Sequence, residues 1–283
     1  MSALGPIELL FLLAALAVVP LGLALAVPSG EAPSRALTLA RRLQPWAALL
    51  VVASFFVHRG PAAAVLVMPW LLVTLLVAAQ GAGRFLGDAW RWAERAIDAG
   101  CLMLPIGAGW LLASRLGLTP LGFQEPIVLL TAVHFHYAAF AALLMVGLAG
   151  RAGGEGAPYR AIAAGAIVGP PMLAAGITLS PLLEAGAAVA IAVTLADLAV
   201  LMLVRIVPRQ RGAARLLLGV SAVSLLVAMA AALAYGVREV TGVALISLAQ
   251  MARIHGPLNG LGFALCGLLG WSLARRNLPP PAL

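Results

Sequence analysis

The chain has 283 residues, of which 63% are hydrophobic and 10% charged, and its mean hydropathy is +1.05. No soluble domain has this composition, and the apolar runs of roughly 20 residues have the length that crosses a bilayer core of ~30 Å. The net charge of +8 comes from arginines spread over short connections rather than gathered on one face, which excludes a nucleic-acid-binding surface.

The predicted elements are helices, because a backbone in hydrocarbon must satisfy its own hydrogen bonds. We predict an all-α fold, a polytopic transmembrane helix bundle that forms a single integral membrane domain over residues 1–283. The nine predicted spans are residues 7–28, 38–58, 61–80, 92–114, 126–149, 158–179, 182–206, 213–236 and 243–274.

Three segments of this pattern need an interpretation of their own. The first span lacks a positively charged n-region and is longer than a signal-peptide core, so we expect it to be retained. Residues 83–100 carry arginines and tryptophans at helical spacing, which is typical of an interfacial stretch or of a fourth helix that starts outside the lipid. In the last span, Pro257 is expected to kink or break the helix.

Cys101 and Cys266 lie inside apolar spans and are interpreted as buried hydrophobic side chains.

The distribution of arginines predicts the orientation of the chain in the membrane. Fourteen arginines fall in the odd-numbered connections and the C-terminal tail, whereas Arg59, Arg115 and Arg238 fall on the other side. Cytoplasmic loops are enriched in arginine, so the N-terminus is predicted outside and the C-terminus in the cytoplasm. This arrangement requires an odd number of spans. The localisation that follows is a bacterial inner membrane, with the protein crossing it several times.

The stretch TAVHFHYAAF (131–140) places two histidines and a tyrosine inside the fifth span. At ~1.5 Å per residue from Pro126, His134 and His136 lie near the middle of the bilayer, where polar groups usually mark a functional site. Because they are two residues apart, they point to opposite sides of a helix. His136 is assigned to proton transfer, since small residues beside it leave room for a substrate. His134 is assigned an anchoring role, since Thr131 and Tyr137 share its face.

The ninth span contains a second polar cluster, HGPLN (255–259), in which His255 and Asn259 share one helix face. We predict that these two residues face the same cavity as at least one histidine of the fifth span. Asp197 and Arg253 are predicted to form a buried, structural ion pair. At the outer end, Glu125 either favours the dipole of the histidine helix or is an acid at the cavity entrance.

The sequences LGLTPLGFQEPIVLLTAVHFHYAAF (116–140) and HGPLNGLGFALCGLLGW (255–271) resemble the YndJ-like family of bacterial membrane proteins. The resemblance covers mainly residues 110–150 and 250–272. The family commonly has glycine after HFHYA, where this chain has Ala139. What the resemblance implies is a shared polar site, not a particular reaction.

The function that these residues predict is an intramembrane enzyme that acts on an apolar, isoprenoid- or lipid-like substrate. Histidine suits proton transfer near neutral pH, and isomerisation, cyclisation or epoxide opening would need protons and no cofactor or metal. The predicted catalytic residues are His136, His255, His134, Tyr137 and Glu125, and the predicted substrate-binding residues are Thr131, Phe140, Gln250 and Asn259.

The alternative is a small-molecule or proton-coupled transporter with a polar site at the midplane. A faint similarity between HFHYAAFAALLMVGLAGR and IHGPLNGLGFALCGLLGW would suit a transporter repeat. A haem or metal protein is disfavoured, because neither CxxCH nor HxxxH occurs. The expected partners are the lipid bilayer and an apolar small molecule, and the sequence leaves the oligomeric state open.

Overall fold

The computed structural model describes residues 4–28, 30–87, 91–241 and 246–276. Over these ranges the chain is helical and contains no strand. Its nine long helices are α1 (Pro6–Leu25), α2 (Arg35–Ser54), α3 (Pro61–Phe85), α4 (Trp92–Leu116), α5 (Ile127–Gly153), α6 (Ala157–Leu179), α7 (Pro181–Arg209), α8 (Gly212–Thr241) and α9 (residues 248–276). The predicted all-α fold is therefore confirmed.

The nine helices correspond one to one to the nine predicted spans, but only eight of those described are long and apolar enough to cross a membrane. The exception is α2, which has the length of a span at 20 residues, or about 30 Å. Its first half carries Arg35, Arg41 and Arg42, so its composition falls short of that of a span. Composition therefore supports eight of the nine predicted spans, and the crossing of the membrane by α2 stays a prediction.

The polar residues of α2 satisfy carbonyl groups of α1. Arg41 Nη2 donates to the Leu23 carbonyl oxygen at 2.5 Å, near the C-terminus of α1, where a cation complements the helix dipole. Gln44 is buried, and its Nε2 donates to the Ala15 carbonyl at 2.7 Å. Ala15 lies in a π-helical turn of α1, and Pro20, five residues later, has no N–H to give it. Gln44 supplies the missing donor.

The helices group into two compact units, residues 1–90 with 97–141 and residues 91–96 with 142–283. In the first unit the ends of α2 and α4 meet the starts of α3 and α5. Arg115, in the last turn of α4, is buried and donates to the carbonyls of Ser54 at 2.8 Å and Val57 at 2.7 Å. Its guanidinium also lies 5.1 Å from the centre of the Phe55 ring. Arg115, counted above in the connection after the fourth span, lies in the last turn of α4 and caps the C-terminus of α2.

In the second unit, a carboxylate from another part of the chain caps the start of α4. Glu155 accepts hydrogen bonds from the backbone N–H groups of Trp92 at 3.0 Å and Ala93 at 3.1 Å, which have no partner inside their own helix. Glu94, in the first turn, forms a bidentate pair with Arg151 at 2.7 Å. The fourth helix begins at Trp92, so residues 92–100 belong to it, while residues 88–90 lie outside the described part.

Wide π-helical turns interrupt α1, α5, α7 and α9, at Ala14–Val18, Phe135–Ala141, Met202–Ile206 and Leu258–Leu265. The predicted break at Pro257 does not occur, and such a turn begins at the next residue, Leu258. Pro257 keeps helical dihedral angles, φ −62° and ψ −37°, and the chain remains helical on both sides of it. The predicted start of the ninth span at residue 243 lies outside the described residues, and α9 is described from Leu248.

The predicted orientation can be checked by labelling single cysteines in a background in which Cys101 and Cys266 are alanine. Gln210→Cys, between α7 and α8, is expected to react with a membrane-impermeant maleimide only after the cells are broken. Leu118→Cys, between α4 and α5, is expected to react in intact spheroplasts, since the fourth connection is predicted outside. Labelling with the opposite pattern would overturn the predicted orientation.

Candidate functional site

His136 is fully buried, and both of its ring nitrogens are hydrogen-bonded. The Trp70 indole N–H donates to Nε2 at 3.2 Å, so Nε2 is an acceptor and the ring proton lies on Nδ1. Nδ1 donates to the Ala132 carbonyl at 2.8 Å, one turn earlier in the same helix. The ring is therefore a neutral imidazole, since a second proton on Nε2 would face the indole N–H. No nitrogen is left to exchange a proton with a substrate.

Aromatic rings enclose His136 on two sides. The Trp70 ring stacks on it with centroids 5.9 Å apart and 20° between the planes, and Phe11 meets it edge-on with centroids 4.7 Å apart. On a third side, α4 approaches at Gly107, where an added Cβ would lie 2.7 Å from His136 Nδ1. The small residues that were expected to leave room for a substrate, Ala132 and Ala139, are themselves buried against protein.

Gly107→Ala is expected to destabilise the protein without touching any exposed group. The new methyl would overlap the His136 ring and the Phe135 Cβ, at 2.9 Å, and overpacking of this kind typically costs about 1–3 kcal/mol. The measurement is the melting temperature in detergent. The matched control is Gly109→Ala, two residues along α4, where an added Cβ would meet nothing within 4 Å. Equal melting temperatures for the two variants would contradict the tight packing of His136.

His134 lies on the other side of the helix and is exposed. Its Nδ1 donates to the Leu130 carbonyl at 2.9 Å, which leaves Nε2 as the acceptor. Among the described residues Nε2 has no partner. The predicted anchors do not hold it, because Thr131 Oγ1 donates to the Ile127 carbonyl and the Tyr137 hydroxyl donates to the Leu10 carbonyl, both at 2.9 Å. The contacts therefore favour the opposite assignment of the two histidines.

The other predicted groups of the first unit have structural contacts. Phe140 is fully buried, and Tyr137 ties α5 to α1 through its hydroxyl. Glu125 accepts a very short hydrogen bond from the Ser114 hydroxyl and a longer one, 3.3 Å, from the Leu129 N–H. The Arg59 guanidinium lies 3.6 Å from the same carboxylate. Glu125 therefore fits the helix-dipole interpretation, at the start of α5, better than that of an acid at an open entrance.

The polar residues of the ninth helix belong to the second unit. His255 is partly buried and its Nδ1 lies 3.1 Å from the Ala228 carbonyl of α8. Asn259 Nδ2 donates to the His255 carbonyl at 2.9 Å, as the four-residue spacing on one face allows. Gln250 forms a capping box with Ser247 and so closes the start of α9. That His255 and Asn259 share a cavity with the fifth-helix histidines stays a prediction.

The predicted Asp197–Arg253 ion pair is not formed within the described part of the chain, and both side chains are exposed. Helices α7 and α9 each pack on α8, and neither side chain is directed into that packing. Arg253 opens the apolar segment Arg253–Arg275, five residues after the helix begins, where it can reach the membrane surface. Asp197 lies 12 residues before Arg209, or about 18 Å inside α7.

Sequence reasoning missed Trp70 and Gly107, which lie against His136, and Arg115, which caps α2. A lone tryptophan or glycine in an apolar span gives no local signal of a distant partner. No group of three or more His, Cys, Asp or Glu side chains that could hold a metal ion occurs in the described ranges.

These features define a class: polytopic helical membrane proteins with polar side chains placed inside the spans. Comparison with known proteins gives the family, since the model of the YndJ-like protein family matches residues 9–263, and the chain belongs to that family. The chain is 30% identical to the uncharacterized membrane protein YndJ of Bacillus subtilis (strain 168) over 186 residues. These residues make up 64% of this chain and 33% of the relative. The matched region thus spans about a third of that relative. No solved structure matches the chain.

Proposed function

We propose that this membrane protein is an intramembrane isomerase of an apolar, isoprenoid- or lipid-like molecule, with His134 as the group that transfers the proton. The observation that carries the proposal is the exposed Nε2 of His134, an acceptor without a partner among the described residues, on a helix that is apolar enough to span the membrane. His136 and Tyr137 hold this helix in position.

The position of His134 suits a substrate that arrives through the lipid. It lies seven residues into α5, or about 10 Å from the start of the span. Hydrocarbon offers no hydrogen-bond donor at this depth, and a polar residue placed there usually marks a site. A molecule dissolved in the bilayer can reach an outward-facing imidazole directly, without an aqueous route.

Because His134 is the one base available at this position, the number of possible reaction types is smaller. Glu125 is held by Ser114 and Arg59, and His136 has both nitrogens bonded, so neither is left to act as a separate acid beside His134. One base can remove a proton from a carbon between a carbonyl group and a double bond, where the electron pair of the broken C–H bond is held as an enolate, and return the proton to the far end of the double bond. The double bond then moves by one position, no atom is gained or lost, and the imidazole ends neutral. Isomerisation therefore fits better than cyclisation or epoxide opening.

The test is incubation of the purified protein in liposomes with a bacterial total lipid extract, in H₂O and in D₂O. An isomer with unchanged mass is expected in both solvents, because a single base that faces lipid returns the proton that it removed, and deuterium in the product would contradict transfer by one base. Liquid chromatography with mass spectrometry measures both. Lipid profiles identical to those of empty liposomes would contradict the proposal.

Transport is supported by one observation, since both segments of the internal similarity contain π-helical turns, at Phe135–Ala141 and Leu258–Leu265. Such turns often occur at functional sites and would suit a repeat. In liposomes that hold a pH-sensitive dye, a proton-coupled transporter would change the internal pH when a proton gradient is applied across the membrane. An isomerase would not.

A further inference from the structure

The connection between α7 and α8 carries a dense cluster of positive charge. Residues 205–215, here called the arginine hairpin, contain four exposed arginines: Arg205, Arg209, Arg211 and Arg215. Within the described part of the chain, their guanidinium groups form no ion pair and no hydrogen bond. No Asp or Glu occurs between Asp197 and Glu239, so the hairpin has no carboxylate of its own to neutralise it.

Other arginines on the same predicted side of the membrane are neutralised by the chain itself. The Arg84 Nε lies 3.0 Å from the Asp98 carboxylate, and the Arg151 guanidinium lies 2.7 Å from that of Glu94. Such pairs satisfy the charge inside the protein. The charge of the arginine hairpin is instead available to an anion from outside the chain.

The hairpin is packed against the second unit, with its arginines turned outward. Ile206 and Ala214 are only 1% and 2% exposed, and an added Cβ at Gly153, at the end of α5, would lie 3.2 Å from Ile206. Directly beside the outer two arginines, Val204 and Leu216 are 68% and 67% exposed. Charged groups next to exposed apolar side chains suit the boundary between hydrocarbon and lipid headgroups, where each part finds its own solvent.

The lengths of α7 and α8 place the hairpin at the level of the headgroups. The two helices have 29 and 30 residues. At 1.5 Å per residue they are about 44 and 45 Å long. The hydrocarbon core is ~30 Å thick, and the headgroup regions bring the bilayer to ~40–45 Å. Each helix is therefore long enough to end among the phosphates, where the hairpin joins the two.

We propose that the arginine hairpin binds the headgroups of anionic phospholipids in the leaflet on the predicted cytoplasmic side. A guanidinium group donates two parallel hydrogen bonds to phosphate oxygens, and the charges strengthen both bonds. A headgroup with net negative charge is attracted by all four arginines, whereas phosphatidylcholine carries a cation that offsets its phosphate. Val204 and Leu216 contact the acyl chains of the bound lipid, which a soluble anion does not have. This binding does not depend on the isomerase reaction.

Lipid binding can be tested by native mass spectrometry of the purified protein in detergent micelles, which counts the bound lipids and gives their Kd. Dioleoylphosphatidylglycerol is the anionic probe, dioleoylphosphatidylcholine is the zwitterionic one, and inorganic phosphate is the soluble anion. Phosphatidylglycerol is expected to bind most tightly. Replacing any one of the four arginines with Gln should weaken its binding about fivefold, the usual contribution of one arginine near an anionic lipid surface.

The matched control is Arg253→Gln, which also removes one exposed arginine from the end of an apolar helical segment, but on the other predicted side. It should bind phosphatidylglycerol as the parent does, and all five variants should keep the melting temperature of the parent. Three results would each overturn the proposal: equal binding of the two lipids, binding of inorganic phosphate as tight as that of phosphatidylglycerol, or hairpin variants that bind no more weakly than Arg253→Gln.

Discussion

Replacing His134 with Gln is expected to reduce the rate of lipid isomerisation by a factor of ~10²–10⁴, the usual loss when a positioned base is removed. Glutamine keeps the length and hydrogen bonding of the side chain but does not take up a proton. Because His134 is exposed and makes one hydrogen bond, to a carbonyl of its own helix, the fold should be unaffected. The measurement is the amount of lipid isomer formed per unit time, normalised to folded protein.

The control is the same substitution at His58, an exposed histidine in the connection between α2 and α3. His58→Gln should leave both the rate and the melting temperature unchanged. If His134→Gln retained the rate of the parent protein, His134 would not be the base. If instead it melted well below the parent, the exposed ring would have a structural role that its contacts do not indicate.

Replacing His136 with Ala is expected to give the largest loss of stability, about 3–5 kcal/mol, the range for removing an aromatic side chain from a packed core. The ring is fully buried between Trp70 and Phe11, so its removal leaves a cavity. It also leaves the Trp70 indole N–H without an acceptor, which adds to the cost. The melting temperature in detergent measures the effect.

A pair of variants isolates the hydrogen bond from the packing. His136→Phe keeps a ring but orphans the indole N–H, at an expected cost of about 1–3 kcal/mol. Adding Trp70→Phe removes that N–H, so the double variant should lose less stability than the sum of the losses of His136→Phe and Trp70→Phe. Losses that add would show that the indole contributes packing rather than a hydrogen bond to His136.

The sequence by itself determined the class of fold, because length and hydropathy suffice to identify helices that cross a bilayer. It also located every helix to within a few residues, and it selected the HFHY stretch. The polar composition of α2 has a clear origin. Its arginines and Gln44 are recognised as polar by sequence, but their partners, the carbonyls of α1, lie elsewhere in the chain.

Only the tertiary structure decided which histidine is buried. Both His134 and His136 lie on one apolar helix, and their spacing shows that they point apart but not which of them faces protein. That depends on Trp70 and Gly107, which are 66 and 29 residues away from His136 in the chain and come beside it only when α3 and α4 pack on α5. The same holds for Asp197 and Arg253, whose charges suggested a pair. They lie on helices that each pack on α8, with both side chains exposed, and no local pattern encodes that arrangement.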